Sequence, residues 1–401
     1  MRIADCRDAL GSARRRSEAS WQNPQSAIAN PQLIMHRVLI VSPTYLNPAN
    51  RGKLRSLAAR DLEITVGVPE RSREAALGRT VEVAWERQNG VEVFPIPVRR
   101  WANPEAARFG QRALVSLLRD KRPDVVQIEQ EPTTRTCQQV VAVARKLKLP
   151  VVLFTLQNVE VPLGWFPRAR RRRTLRRLKG AIAGSAGAAA LLRTTVPDLP
   201  VAVLPQLGVH VPTTLEHALH EGLAIGYVGR LVPEKGLDTL LRALAENRSA
   251  RWHLWVVGDG PDRERLERIA SELRLAARIR WTGALPPEEL PKVWAELDVL
   301  VQPSRALPDW VEQSAHVVAE AMAHEVAVVG TGAGATPEAI GDAGAIVPPD
   351  DPAALAGALR RLANPEVRGP LAQAGRARVM QLLSDDAVAE RTVGFWREIL
   401  T

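Results

Sequence analysis

The sequence predicts an α/β protein of two tandem parallel-sheet domains. Three observations carry that prediction: two series of short apolar strands alternating with amphipathic helices, a break between the series at residues 208–222, and a length of 401 residues, which at roughly 150 per domain suits two to three units. Alternation at this spacing implies a parallel sheet covered by helices on both faces. Each series therefore reads as a Rossmann-like domain, and the two are expected to face each other across a ligand cleft.

Residues 1–34 have neither helical nor strand periodicity and are rich in Ser, Asn, Gln and Arg, so they read as a disordered extension. Met35 opens directly onto Arg37-Val-Leu-Ile-Val-Ser-Pro43 and is a candidate start. The N-terminal domain, 35–207, reads as strand 37–42, a Pro/Asn/Gly loop, helix 52–60, strands 63–68 and 91–96, helix 104–120, strand 124–128, helix 134–147 and strand 150–154. Residues 208–222 lack apolar periodicity and read as a linker. The C-terminal domain, 223–401, reads as strand 223–228, helix 236–246, strand 252–257, helix 261–273, strand 279–282, helix 287–296, strand 298–302, helix 312–323 and strand 326–329, then a Gly-rich loop and further helices.

Composition removes several classes. With 46% hydrophobic and 24% charged residues, wholesale disorder, collagen and coiled coil are excluded. Even the Ala181–Leu192 stretch, broken by Gly and Ser, falls short of the roughly 20 apolar residues that span a bilayer. The first twenty residues carry Arg7, Arg14, Arg15 and Arg16 but no apolar core, so no secretory signal is expected and the cytoplasm is the default compartment. Cys6 and Cys137 cannot make a disulfide framework or a four-ligand zinc site. A net charge of +10, with only seven lysines among 54 basic residues, favours nucleic acid, anionic lipid or phosphorylated small molecules as partners.

The strongest chemical feature is Gly226-Tyr-Val-Gly-Arg230-Leu-Val-Pro-Glu-Lys235-Gly236, where a strand ends at Gly229, two cations follow and a helix begins. Glycine admits backbone amides close to an anion, the helix start adds partial positive charge, and Arg and Lys can neutralise a diphosphate. An ordinary turn with solvated cations is the alternative. The segment lacks the Gly-Lys-Ser/Thr ending of a P-loop. A second feature is Pro303-Ser304 closing a strand, followed by Glu312 and Glu320 in a largely apolar segment. On one continuous helix these carboxylates would be offset by roughly 80° and about 12 Å, which suits two ends of one long ligand. The Gly-rich loop Gly330-Thr-Gly332-Ala-Gly334 is a weaker signal.

In order, Gly-Arg-Leu-Val-Pro-Glu-Lys-Gly, Val-Val-Gly258-Asp-Gly260-Pro, Asp298-Val-Leu-Val-Gln-Pro-Ser304, the Glu-x7-Glu pair, Glu-Ala-Met-Ala and Pro-Glu-Ala-Ile-Gly-Asp-Ala-Gly344 resemble glycosyltransferase family 4, the retaining sugar-nucleotide transferases of GT-B fold. The resemblance spans about 223–365, and Pro123-Asp-Val-Val-Gln-Ile-Glu-Gln-Glu131 with Val203-Leu-Pro-Gln-Leu-Gly208 extends it weakly through the N-terminal half. It implies that Arg230 and Lys235 bind the donor diphosphate, Glu320 the ribose and Glu312 the transferred sugar, with Gly229, Ser304 and Val317 completing the donor site. Glu312, Arg230 and Lys235 would act in catalysis. The acceptor would lie on the N-terminal domain near Gly52, Gln157 and Asn158, and the last helix, bearing Trp396, would pack back on that domain. The implied donor is a UDP- or GDP-linked sugar and the acceptor a saccharide or lipid-linked hydroxyl. No metal or other cofactor is implied, in keeping with the lack of an Asp-x-Asp motif.

Ser314 and Ala315 stand where the family has glycine, Glu325 where it has a tight turn, and Gln157 near a position where many members carry histidine. These departures motivate a second reading, a catalytically weakened GT-B protein serving as a binding or partner subunit. The intact Arg230, Lys235, Glu312 and Glu320 oppose it. A third reading, a nucleic-acid binder, rests on charge alone.

The densest charge run, Arg168 to Lys179, holds eight cations in twelve residues beside Trp165 and Phe166. Adjacent cations are expected all around a helix, giving either a solvated helix or a dock for an anionic membrane surface. No recognition-helix or RNA-stacking motif accompanies the run, so no specific nucleic acid is expected. His210, His217 and His220 lack a partnering acid cluster and read as linker residues rather than metal ligands. Trp252, Trp255, Trp281 and Trp294 read as core.

Overall fold

The structure, a computed structural model, describes residues 35–74, 79–103, 106–218 and 221–401. The tail 1–34, the expected helix start at 104 and His220 lie outside the described residues. The chain forms two units, one of residues 35–208 with Asp385–Thr401, the other Val209–Ser384.

The N-terminal unit contains β1 (Arg37–Val41), β2 (Glu63–Pro69), β3 (Arg71–Glu74), β4 (Arg79–Glu82), β5 (Glu86–Gln88), β6 (Val91–Ile96), β7 (Val98–Arg99), β8 (Arg108–Phe109), β9 (Val125–Glu129), β10 (Val151–Thr155), β11 (Gly180–Ala183) and β12 (Val201–Val203). Eight of them form one sheet in the order β12-β11-β10-β9-β1-β2-β6-β5, parallel except at the β5 edge. Two antiparallel pairs, β3 with β4 and β7 with β8, were not signalled by periodicity. Where a helix was expected over 104–120, the helix runs Gln111–Lys121. Phe109 is held extended, because its N–H and C=O both bond the Gln139 side chain (3.0 and 2.9 Å). Beyond residue 154, where only the basic run Arg168 to Lys179 was read as helical, the helices Trp165–Leu175 and Ala186–Thr195 alternate with β11 and β12.

Alternate residues of each strand feed the two helical layers. In β1, Val38 and Ile40 join one buried cluster with Tyr45, Leu54 and Trp396, whereas Leu39 and Val41 join the other with Leu114, Leu117 and Leu118. Burying each such aliphatic side chain stabilises the fold by roughly 1.5–3 kcal/mol. The helix Asp385–Leu400 belongs to this unit: Ala389, Val393, Phe395 and Trp396 enter its core, and Trp396 Nε1 donates to Gln127 Oε1 (2.9 Å).

The C-terminal unit contains β13 (Leu223–Val228), β14 (Trp252–Val257), β15 (Ile279–Gly283), β16 (Val299–Gln302), β17 (Ala327–Thr331) and β18 (Ala345–Val347), one parallel sheet in the order β15-β14-β13-β16-β17-β18. Val299 and Val301 face one core cluster and Leu300 the other. Trp252 and Trp294 are buried, and Trp255 and Trp281 pack against the core half-exposed. Within the segment 208–222, read from sequence as a linker, two described residues are tied to the C-terminal unit. Val209 is buried among C-terminal residues and its N–H donates to Leu383 O (3.0 Å), and Ala218 N–H donates to Ala295 O (2.8 Å). No described helix is long and apolar enough to cross a membrane.

Candidate functional site

In an open parallel sheet the ligand crevice lies beyond the strand C-termini where the chain reverses its direction of travel across the sheet. The C-terminal unit builds β13, β14 and β15 outward, then returns to place β16 on the other side of β13. Its reversal point is therefore between β13 and β16. The segments following those two strands are Gly229–Gly236 and Pro303–Ala315, the two that the sequence singles out.

Glu312 is the centre of this site. It is 4% exposed, and its Oε2 accepts hydrogen bonds from Lys235 Nζ (2.6 Å), Ser304 Oγ (2.7 Å) and Gln302 Nε2 (2.9 Å). A buried carboxylate needs such partners, and here one is a cation from the neighbouring loop. The Lys235 ammonium also stands 5.4 Å from the Trp310 ring centroid.

Local backbone geometry makes the convergence possible. Gly236 has φ +67°, and a Cβ there would lie 2.1 Å from Pro303 O, so glycine lets the β13 loop press against the β16 loop before the helix Leu237–Glu246 starts. Arg305 ties the same loops together: its N–H donates to Glu234 O (2.9 Å), and its guanidinium pairs with Asp238 (2.9 Å) and Asp350 (2.6 Å). Although burial works against ionisation, the bonds and charge of Arg305 and Arg265 hold Asp238 below the usual carboxylate range. On the far side Gly334, φ +57°, lies where a Cβ would come within 2.0 Å of Glu312 O, and Ala335 N–H donates to that oxygen (2.9 Å).

This last contact explains a difference from expectation. The helix expected over 312–323 begins only at His316, and Glu312 sits in the preceding loop. Its carbonyl is drawn to Ala335 and its carboxylate to Lys235, Ser304 and Gln302, so residues 312–315 do not take helical geometry. The offset calculated for two carboxylates on one helix therefore does not apply. Glu320 lies on the helix His316–Ala323, half-buried, with Oε1 3.5 Å from His316 Nε2, and Val317, three residues earlier on the same helix, is also half-buried.

The structure thus joins Lys235, Ser304 and Glu312 by direct bonds. Ser304 is fully buried and spends its hydroxyl on Glu312, which makes it an orienting group. Gly229 and Arg230 follow β13 directly; Arg230 is exposed, and its carbonyl accepts from the buried Tyr227 hydroxyl (2.7 Å). Burial, then the charge of Glu312, pushes the Tyr227 phenol up, so it stays a donor. Gln302 and Thr331, whose hydroxyl donates to Ser304 O, were missed. A glutamine ending the apolar strand Val-Leu-Val-Gln is the signal that could have found the first.

In the N-terminal unit the reversal point lies between β1 and β9. It is filled by a buried ion pair that sequence reasoning missed, Lys53 Nζ to Glu129 Oε1 (3.2 Å), with Tyr45, Gln127 and Gln206 also bonded to Glu129. Polar residues at 127 and 129, alternating in an otherwise apolar strand, were the available signal. Gly52 starts the helix Gly52–Ala58, and a Cβ there would fall 2.0 Å from an Asp385 carboxylate oxygen. Gln157 and Asn158 follow β10; the Gln157 N–H donates to Thr155 Oγ1 and its Nε2 to Val159 O, both 3.2 Å. Glu131 braces this loop, accepting from Leu156 N–H (3.0 Å) and the Thr155 hydroxyl, and burial raises its pKa.

Residues 222–364 match the family model for glycosyl transferases group 1, and residues 47–206 that for the glycosyl transferase 4-like domain. The chain is 38% identical over 156 residues to a GDP-mannose-dependent alpha-(1-6)-phosphatidylinositol monomannoside mannosyltransferase of Mycolicibacterium smegmatis, covering 37% of this chain and 41% of that protein. It is 29% identical over 345 residues to a 2-deoxystreptamine N-acetyl-D-glucosaminyltransferase of Streptomyces fradiae, covering 75% and 78%. It spans 41%, 33% and 42% of the length of three curated relatives that it matches in part. Among solved structures, sucrose-phosphate synthase of Thermosynechococcus elongatus superposes with a TM-score of 0.69 at 18% identity over 91% of this chain and 99% of that one. A protein of Anabaena in complex with UDP and glucose does so at 0.67 and 17%, over 90% and 100%. These likenesses give the two-sheet GT-B fold.

Proposed function

The chain belongs to the family 4 type of glycosyltransferases, and from that premise we propose that it transfers a sugar from a nucleotide-linked donor to a hydroxyl acceptor with retention at the anomeric carbon. The observation that carries this reading is the Lys235–Glu312 pair at the β13/β16 reversal point. Lys235 has three N–H donors, of which Glu312 takes one, so a diphosphate can share the ammonium without breaking the pair. Arg230, exposed on the same turn, adds a bidentate donor, and the start of the helix Leu237–Glu246 adds partial positive charge.

These groups act most strongly as charge develops on the leaving diphosphate. The sugar–phosphate C–O bond breaks while the acceptor oxygen bonds the anomeric carbon on the same face, and the hydroxyl proton passes to a diphosphate oxygen. Glu312 orients the sugar and Glu320 the ribose, and two protein cations take the neutralising role without a divalent metal. A UDP- or GDP-linked donor fits, as does a saccharide or lipid-linked acceptor in surface polysaccharide or glycolipid synthesis. The GDP-mannose dependence of the mycobacterial relative supports a nucleotide-sugar donor.

A thermal-shift panel of UDP, GDP, ADP and their sugar conjugates, without added metal, tests the reading. One base should raise Tm, and Glu320→Ala should abolish that shift, whereas Arg230→Ala should slow turnover more than it weakens binding. No shift with any nucleotide from folded protein overturns the proposal.

A further inference from the structure

The helix Trp165–Leu175 has a one-sided surface that the transfer chemistry does not use. Its cations do point all around the helix, as expected, but the structure buries Arg171 and half-buries Arg170, which leaves the fully exposed ones on one side. Arg171, Thr174, Leu175 and Leu178 are buried, and the exposed positions from 165 to 176 are Trp165, Phe166, Arg168, Ala169, Arg172, Arg173 and Arg176. At 100° per residue these seven fall within about 160° of arc. Trp165, Ala169, Arg172 and Arg176 lie along its middle, with Arg168 at one edge and Phe166 and Arg173 at the other, so an aromatic end runs into exposed guanidinium groups on one side.

Trp165 and Phe166 are 73% and 75% exposed and meet edge to face, ring centroids 4.4 Å apart. Of the seven large hydrophobic residues most exposed among the described residues, three (Val161, Trp165 and Phe166) lie within six positions. Burial therefore does not account for them, and their grouping marks a surface that something apolar covers. The charge is equally one-sided: Glu160 is the only acidic residue between Pro132 and Pro197. It lies 3.7 Å from Arg168, with both side chains largely exposed.

We infer that this face docks on an anionic lipid bilayer, with Trp165, Phe166 and Val161 entering the headgroup boundary and Arg168, Arg172, Arg173 and Arg176 lying against lipid phosphates. Aromatic rings favour that boundary because one environment accepts both their apolar body and a polar edge. Guanidinium groups bind phosphate oxygens in pairs. A nucleic-acid duplex, its bases already stacked on one another, would engage the cations but leave the exposed aromatic pair and Val161 without an apolar environment, which favours the bilayer. The inference does not depend on the donor site, because vesicle binding is read without turnover.

The test is sedimentation of the full chain with phosphatidylcholine vesicles, with and without phosphatidylglycerol. The protein should pellet with the anionic vesicles only and be released by raised salt. Each exposed arginine replaced by Gln should lower the partition coefficient about fivefold. Trp165→Ser/Phe166→Ser should also release the protein and abolish a vesicle-induced blue shift of tryptophan emission, whereas Arg251→Gln, an exposed arginine of the other unit, should change neither. The substituted side chains are exposed, so unchanged circular dichroism is expected. Equal pelleting with neutral vesicles, binding unaffected by the arginine set, or tight duplex DNA binding indifferent to the aromatic change would each overturn the inference.

Discussion

Removing Lys235 probes the energetic centre of the candidate site. The Lys235 and Glu312 side chains are 14% and 6% exposed and 2.6 Å apart, so Lys235→Ala leaves a carboxylate with little water to replace the ammonium. Breaking a buried pair from one side costs about 3–5 kcal/mol. Glu312 keeps the hydrogen bonds of Ser304 (2.7 Å) and Gln302 (2.9 Å), which offset part of that loss and bring the expected cost to about 2–3 kcal/mol. Glu312→Gln removes the charge that needs a partner, and the better-exposed ammonium reaches solvent, so about 1–2 kcal/mol is expected. In the double variant the ammonium is gone and the neutral amide no longer needs it. Its cost should fall below the sum of the singles by about 1–2 kcal/mol. Urea unfolding followed by tryptophan emission, fitted to the transition that the single variants move, measures the cycle. Additivity within about 0.5 kcal/mol would refute the claim that Glu312 is held by Lys235.

Gly334→Ala should destabilise by about 3 kcal/mol or more, because it combines a left-handed backbone with a Cβ 2.0 Å from Glu312 O. Gly332→Ala, where the nearest atom is 3.9 Å away, is the matched control in the same thermal melt, and equal melting of the two would remove the bracing role of residue 334. Glu131 gives a pH signature. Burial raises its pKa in the folded chain, so the folded state holds this proton more tightly than the unfolded one. The stabilisation is full below the unfolded value of roughly 4.3 and is lost as pH rises through the folded value. Glu131→Gln should therefore gain Tm relative to the unchanged protein between acid and neutral pH, and a constant difference across that range would contradict the assignment.

Much of this molecule is legible from local pattern. Strands such as Val38–Val41 and Val299–Val301 announce themselves because both faces are covered, and the glycine–cation turn after β13 is recognisable because anion binding needs those residue types together. The partners of Glu312 are less legible because Lys235 is 77 positions away, and nothing local to either residue encodes that contact. Lys53 and Glu129, 76 positions apart, escape for the same reason. The segment 312–315 reads as helical because its residues permit a helix. A tertiary hydrogen bond to Ala335 overrides that permission. The one-sided set of exposed arginines is hidden in a run that looks uniform until Arg171, Thr174 and Leu175 are seen to face inward.

The sixteen-residue helix at Asp385–Leu400 sets an order of events during synthesis. Translation delivers Arg37 early, but the core around Tyr45 and Leu54 is not closed until Phe395 and Trp396 leave the ribosome. The second unit, contiguous from Val209 to Ser384, can complete its sheet as soon as it has emerged. The half made first thus finishes last, holding an apolar face open through most of translation. A nascent chain stalled before residue 385 presents that face to holdase chaperones, and a premature stop near the 3′ end of the message damages the domain encoded at the 5′ end.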